Sequence, residues 1–167
     1  PAVSFEGVLD GKGHKIVNLT INKPSTNQVA LISLLNKGTI KNLGIVDSTI
    51  TGSGYIGAFV GKMQNATIEN CYTNATVNGK GDTGGLAGFG SKSTIRNCYS
   101  NATVNTTGTC GGIVGYLAGT IENVYSVATI SSTANSGVIV GFAEPDAAQI
   151  NLVNVYAENG KKAHGNT

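Results

Sequence analysis

One triplet, Ile-x-Asn, returns along this chain at a nearly constant interval, and that interval constrains the fold more than any single residue does. It stands as Ile16-Val17-Asn18, Ile40-Lys41-Asn42, Ile68-Glu69-Asn70, Ile95-Arg96-Asn97 and Ile121-Glu122-Asn123, with a looser copy at Leu152-Val153-Asn154. The Ile positions step by 24, 28, 27 and 26 residues. A glycine-framed apolar segment keeps the same interval: Gly57-Ala58-Phe59-Val60-Gly61, Gly84-Gly85-Leu86-Ala87-Gly88, Gly111-Gly112-Ile113-Val114-Gly115 and Gly137-Val138-Ile139-Val140-Gly141. Two motifs locked to one period identify a repeat array in which each unit buries its apolar face only against its neighbours.

The units are strands. Each holds several Gly with many Thr, Val and Ile, and no stretch repeats its apolar residues at helical spacing. A propeller blade needs about 40 residues, so roughly 27 per unit suits one coil of a parallel β-helix. The sequence therefore predicts an all-β, right-handed parallel solenoid of about five coils, the hand following the general preference of parallel crossovers. Residues 1–38 form an atypical first coil, because Val29-Ala30-Leu31-Ile32-Ser33-Leu34-Leu35 lacks both framing glycines; residues 39–157 form regular coils and 158–167 a polar tail. The chain opens on Pro1-Ala2-Val3-Ser4-Phe5 with no Met or signal segment, and reads as a piece of a longer parent chain. A coil at a cut end exposes unpaired strand backbone, so a looped or helix-like cover near residues 24–37, or end-to-end association, is expected there.

Period-two alternation after each triplet sorts the side chains. In Cys71-Tyr72-Thr73-Asn74-Ala75-Thr76-Val77, Cys98-Tyr99-Ser100-Asn101-Ala102-Thr103-Val104 and Val124-Tyr125-Ser126-Val127-Ala128-Thr129-Ile130 the odd places are apolar or small and face inward. Leu19 and Leu43, then Ile21 and Ile45, take the first two inward places of the earlier coils. The outward set is Tyr72, Asn74, Thr76, Tyr99, Asn101, Thr103, Tyr125 and Thr129, a flat array of rings and short polar groups. It suits weak contacts with a glycan or protein, and equally a solvated face whose tyrosines stack for stability. The Asn of each triplet falls where the inward phase changes, so a bend is expected, with the amides either hydrogen-bonded along the axis or merely tolerating the turn. The framing glycines are expected at positive φ or at close coil-to-coil approach.

These residues carry a resemblance. The segments Gly57–Gly61, Gly84–Gly88 and Gly111–Gly115 resemble the GLUG motif, and Phe5-Glu6-Gly7-Val8-Leu9-Asp10-Gly11-Lys12-Gly13-His14-Lys15-Ile16 is similar to the lead-in that precedes GLUG arrays. The resemblance implies a bacterial surface or secreted location, with relatives among adhesin-like proteins and the non-catalytic regions of IgA-cleaving metallopeptidases.

Chemistry is hard to place on this chain. Its two histidines, His14 in a Gly-rich turn and His164 in the tail, belong to no metal-ligand pattern, so no metal or cofactor is expected. Glu69, Arg96 and Glu122 share one place in successive coils about 5 Å apart, which reads as a surface charge ladder rather than a carboxylate pair for glycan cleavage. Gly79-Lys80-Gly81-Asp82-Thr83-Gly84-Gly85 occurs once, and a single such turn offers too few oxygens for calcium. Cys71 and Cys98 fill equivalent inward places and are expected as buried free thiols. Scattered lysines and a formal charge of +2 give no nucleic-acid footprint. No apolar run reaches the roughly 20 residues a membrane helix needs. The threonines Thr76, Thr103 and Thr129 invite comparison with ice-binding arrays, but Asn74, Asn101 and Val127 as the partner column weaken it. The reading that remains is a non-catalytic adhesive module whose partners are a host or cell-surface glycan or protein and the rest of the parent chain. A spacer within a surface metallopeptidase is the alternative.

Overall fold

The computed structural model describes residues 3–143 and 150–158, which hold strands and turns and no helix. His164, Pro1 and Ala2 lie outside the described residues, as does the tail beyond Glu158. The paired strands are parallel, and the chain winds through about five turns of a β-helix.

Each coil crosses five faces. The Ile-x-Asn face stacks Val8–Asp10, Thr39–Lys41, Thr67–Glu69, the end of Ala87–Arg96, the middle of Val114–Ser126 and the start of Ile150–Ala157. A tyrosine face follows, from Lys15–Val17 through Gly44–Val46, Tyr72–Thr73 and Tyr99–Ser100 to Tyr125 and Tyr156. Next come a threonine face (Thr20–Asn22, Thr49–Thr51, Thr76–Gly79, Thr103–Thr106, Thr129–Ser132) and a short corner at Thr83–Gly84, Cys110–Gly111 and Ser136–Gly137. The glycine-motif face (Ile32–Asn36, Val60–Gln64, Ala87–Ser91, Val114–Ala118, Val140–Ala143) closes the coil.

The core is a set of axial columns. Ile40, Ile68, Ile95 and Ile121 lie one above another, all fully buried, and each contributes about 1.5–3 kcal/mol by leaving water. The alternation holds residue by residue: Cys71, Thr73, Ala75 and Val77 are buried while Tyr72 and Asn74 are exposed, and the pattern repeats from Cys98.

The triplet Asn makes the corner. Asn42, Asn70, Asn97, Asn123 and Asn154 all sit at φ between 51° and 54°, the left-handed region that Asn enters more cheaply than most side chains. The amides also bond along the axis. Asn42 donates to Asp10 at 3.0 Å and Asn70 to Asn42 at 3.0 Å; Asn123 donates to Asn97 at 3.1 Å and Asn154 to Asn123 at 2.9 Å. Both expectations for these residues hold together.

Three readings change, and one is resolved between its two alternatives. The first triplet is out of step: Ile16 and Val17 pair with Ile45 and Val46, and it is Leu9-Asp10 that lies beside Ile40-Lys41. Leu19 accordingly belongs beside Ser48, whose Oγ accepts its N–H, and not beside Leu43. The turn at Lys12 and Gly13, both at positive φ, adds length to the first coil and shifts the alignment. Residues 24–37 form no cover; Val29 bridges to Ile56 and Ile32–Asn36 pairs with Val60–Gln64, so the segment without framing glycines still makes its strand. The framing glycines are not at positive φ, which among glycines is found at Gly13. They mark close approach instead: a Cβ on Gly88 would sit 2.3 Å from the Ile56 nitrogen, and one on Gly115 2.5 Å from the Thr83 nitrogen.

Candidate binding faces

Stacking turns each outward place into a column. Tyr72, Tyr99 and Tyr125 pair in register, as the period predicts, and remain 37–44% exposed. The rings of Tyr99 and Tyr125 stack at 5.7 Å. Tyr72 lies over Gly44, where any Cβ would meet its ring. The column ends on Tyr156, a residue the repeat pattern did not single out, paired with Tyr125 and 62% exposed.

Thr76, Thr103 and Thr129 occupy the neighbouring threonine face, continued by Thr20 and Thr49. Between the two sheets Asn74 and Asn101 are exposed at the junction, and Asn74 accepts the Asp47 N–H at 2.7 Å. The eight residues therefore span the junction of two sheets rather than a single one. On the threonine face the second outward column is Asn22, Thr51, Asn78, Asn105 and Ser131, not Asn74, Asn101 and Val127. Its amides are partly spent on each other, Asn105 donating to Asn78 at 3.0 Å and Asn78 to Thr51 at 3.3 Å.

A second aromatic column was missed. On the glycine-motif face Phe89, Tyr116 and Phe142 stack with centroids 4.8 and 5.5 Å apart; Tyr55, from the corner, packs on Phe89 at 5.1 Å, and the Lys62 ammonium lies 5.5 Å from the Phe89 ring. The signal was present, since Lys62, Phe89, Tyr116 and Phe142 each follow a closing glycine. These rings are half-buried and tightly stacked, which suits them to holding coils together.

Residues 52–78 and 80–105 match the family model described as the GLUG motif. Two of its coils thus resemble GLUG repeats. Over 71 residues, 42% of the chain, it is 42% identical to halomucin from Haloquadratum walsbyi, of whose length that match spans about 1%. A crystal structure of a candidate immunoglobulin A1 protease from Bacteroides ovatus superposes with a TM-score of 0.68 at 26% identity, covering 90% of this chain and 60% of that one.

Several polar residues outside these faces are engaged with one another. Asp10, Lys41, Glu69, Arg96 and Glu122 form one column of alternating sign. Arg96 stands between Glu69 and Glu122 and bonds Glu69 through Nε at 2.8 Å, while Lys41 lies 4.0 Å from Asp10. Such exposed pairs add at most about 1 kcal/mol each but penalise a slipped register. Hydrogen bonds from the Asn42 side chain and the Lys12 N–H hold the Asp10 carboxyl below its usual range. Asp82 is shifted the other way, because partial burial outweighs a hydrogen bond from Thr109. Cys71, Cys98 and Cys110 are buried free thiols; burial pushes Cys71 up to about 11 and Cys110 to about 12, so neither is a ready nucleophile. Among the described residues no three of His, Cys, Asp and Glu gather closely enough to hold a metal ion.

Proposed function

We propose that this GLUG-repeat β-helix is a non-catalytic display and adhesion module of an extracellular or cell-surface protein, and that it contacts glycan or protein through the tyrosine column and its Asn and Thr neighbours. The observation that carries the reading is the column itself. Tyr72, Tyr99, Tyr125 and Tyr156 are held in register on a rigid stack, each with a ring open to solvent. Presenting aromatic area with little conformational freedom left to lose favours weak, repeated contacts. Similarity to halomucin and to the Bacteroides ovatus protein supports a place outside the cell. The extent of the second match, most of this chain but 60% of the other, also favours a role as one module of a larger peptidase.

The test is adherence of beads bearing the purified chain to surfaces coated with neutral glycans or with extracellular proteins. Replacing Tyr72, Tyr99 and Tyr125 together by Ser should lower adherence about tenfold or more with circular dichroism unchanged. Equal adherence by the triple variant would contradict the reading.

A further inference from the structure

Five Asn-x-Thr triplets occur in this chain, at Asn18, Asn65, Asn74, Asn101 and Asn105, none with Pro in the middle. In a chain that leaves the cell, such a triplet is the acceptor pattern for an N-linked glycan. The fold divides the five into two groups. Asn74 donates its Nδ2 to Asp47 at 3.3 Å and accepts the Asp47 N–H at 2.7 Å, while the half-buried Asn105 donates its Nδ2 to Asn78 at 3.0 Å. Asn18, Asn65 and Asn101 are exposed, and among the described residues none of their Nδ2 atoms has a hydrogen-bond partner. The hydroxyls of Thr20, Thr67 and Thr103, which complete these three triplets, are likewise unpaired among the described residues.

The stack itself does not require Asn at the three open places. Asn101 lies in register with Val127, which holds the same place one coil on. Lys37 and Lys92 flank Asn65 in register and make the same left-handed turn, at φ of 54° and 48° against 48°. Asp47 does so beside Asn18, at 48° against 60°. These amides differ from those of Asn70, Asn123 and Asn154, which are spent on bonds along the axis. A glycan on any open Nδ2 would project from the surface and leave every ladder bond in place. One on Asn105 would have to stand among the half-buried amides of its column.

We infer that Asn18, Asn65 and Asn101 are N-glycosylation sites of the folded chain, and that Asn74 and Asn105 are not. The donor is a glycosyl diphosphate, carried on a nucleoside or on a polyprenyl lipid. The sugar C1–O bond to the diphosphate breaks and a C1–N bond to Asn Nδ2 forms. The diphosphate leaves with the electron pair, and the amide nitrogen gives up one proton. The inference draws on the extracellular placement proposed above and not on adhesion.

The experiment is site-resolved mass spectrometry of the chain recovered from the surface or culture fluid of its own cells, which establishes first that the chain is outside. Asn18, Asn65 and Asn101 should carry sugar, and Asn74 and Asn105 should be unmodified. A single hexose at the three sites supports the inference with a nucleotide-linked donor, and an oligosaccharide supports it with a lipid-linked one. Thr103→Val removes a hydroxyl that bonds nothing in the stack, so it should abolish the adduct at Asn101 alone and leave the melting curve unchanged. Bare asparagines at all five places in externally recovered chain overturn the inference while leaving the extracellular placement standing. Equal modification of Asn74 and Asn105 overturns it by showing that transfer ignores the fold. An Asn101 adduct that survives Thr103→Val overturns it by showing that the triplet does not direct the transfer.

Discussion

Asn123 has two roles that substitution can separate. Its φ of 52° turns the chain between the Ile-x-Asn and tyrosine faces, and its amide donates to Asn97 and accepts from Asn154. Asn123→Gly keeps the turn and loses the amide bonds, so urea denaturation should show a loss of about 1 kcal/mol. Asn123→Ala also strains the turn and should cost about 1 kcal/mol more. A Gly variant as stable as the parent would mean that the ladder contributes nothing. Asp82 offers a test with a definite sign. Partial burial raises its folded pKa above the unfolded 3.8, so the ionised carboxylate is a cost to the fold. That cost is full above the folded pKa and disappears below 3.8, where both states are protonated. Asp82→Asn should therefore melt no lower than the parent at pH 7, and any advantage should shrink as the pH falls through the folded value toward 3.8. An advantage that grows on acidification would contradict the shift.

Elements in this molecule are short, and the corners between them decide what could be read in advance. Strand residues keep their places from coil to coil, so the columns Ile40–Ile68–Ile95–Ile121 and Tyr72–Tyr99–Tyr125 were legible from the period alone. Corner loops absorb differences in length. The partner of Ile40 is Leu9, 31 residues back, and that of Ile121 is Leu152, 31 ahead, so a fixed spacing misplaced Ile16 and gave Tyr156 no weight. The column at Phe89, Tyr116 and Phe142 is less legible for another reason: it stands just outside the glycine frame, and its first place is held by Lys62, which breaks the aromatic pattern. On the glycine-motif face the backbone of the corner approaches too closely for a side chain. Gly88→Val and Gly115→Val should each destabilise the chain by about 1–3 kcal/mol in thermal melts, since the atoms they would meet are backbone. Unchanged melting temperatures for both would show that the neighbouring coil can retreat.

The whole molecule is a stack in which every inner rung is held by the rung on each side, and stability should follow from that position. The central coils have neighbours in both directions, with Ile68, Ile95 and Ile113 fully buried. At the first coil the strands Val8–Asp10, Lys15–Val17 and Thr20–Asn22 are paired on one side, and Phe5, Val8 and Val17 remain exposed. At the last, Leu152, Val153 and Tyr156 are similarly open. Residue-resolved amide hydrogen exchange on a confirmed monomer tests this dependence of each rung on its neighbours most directly. Exchange should be slowest from Ile68 to Val114 and progressively faster toward residues 8–22 and 150–157. Uniform protection along the chain, or terminal rungs as slow as central ones, would contradict it.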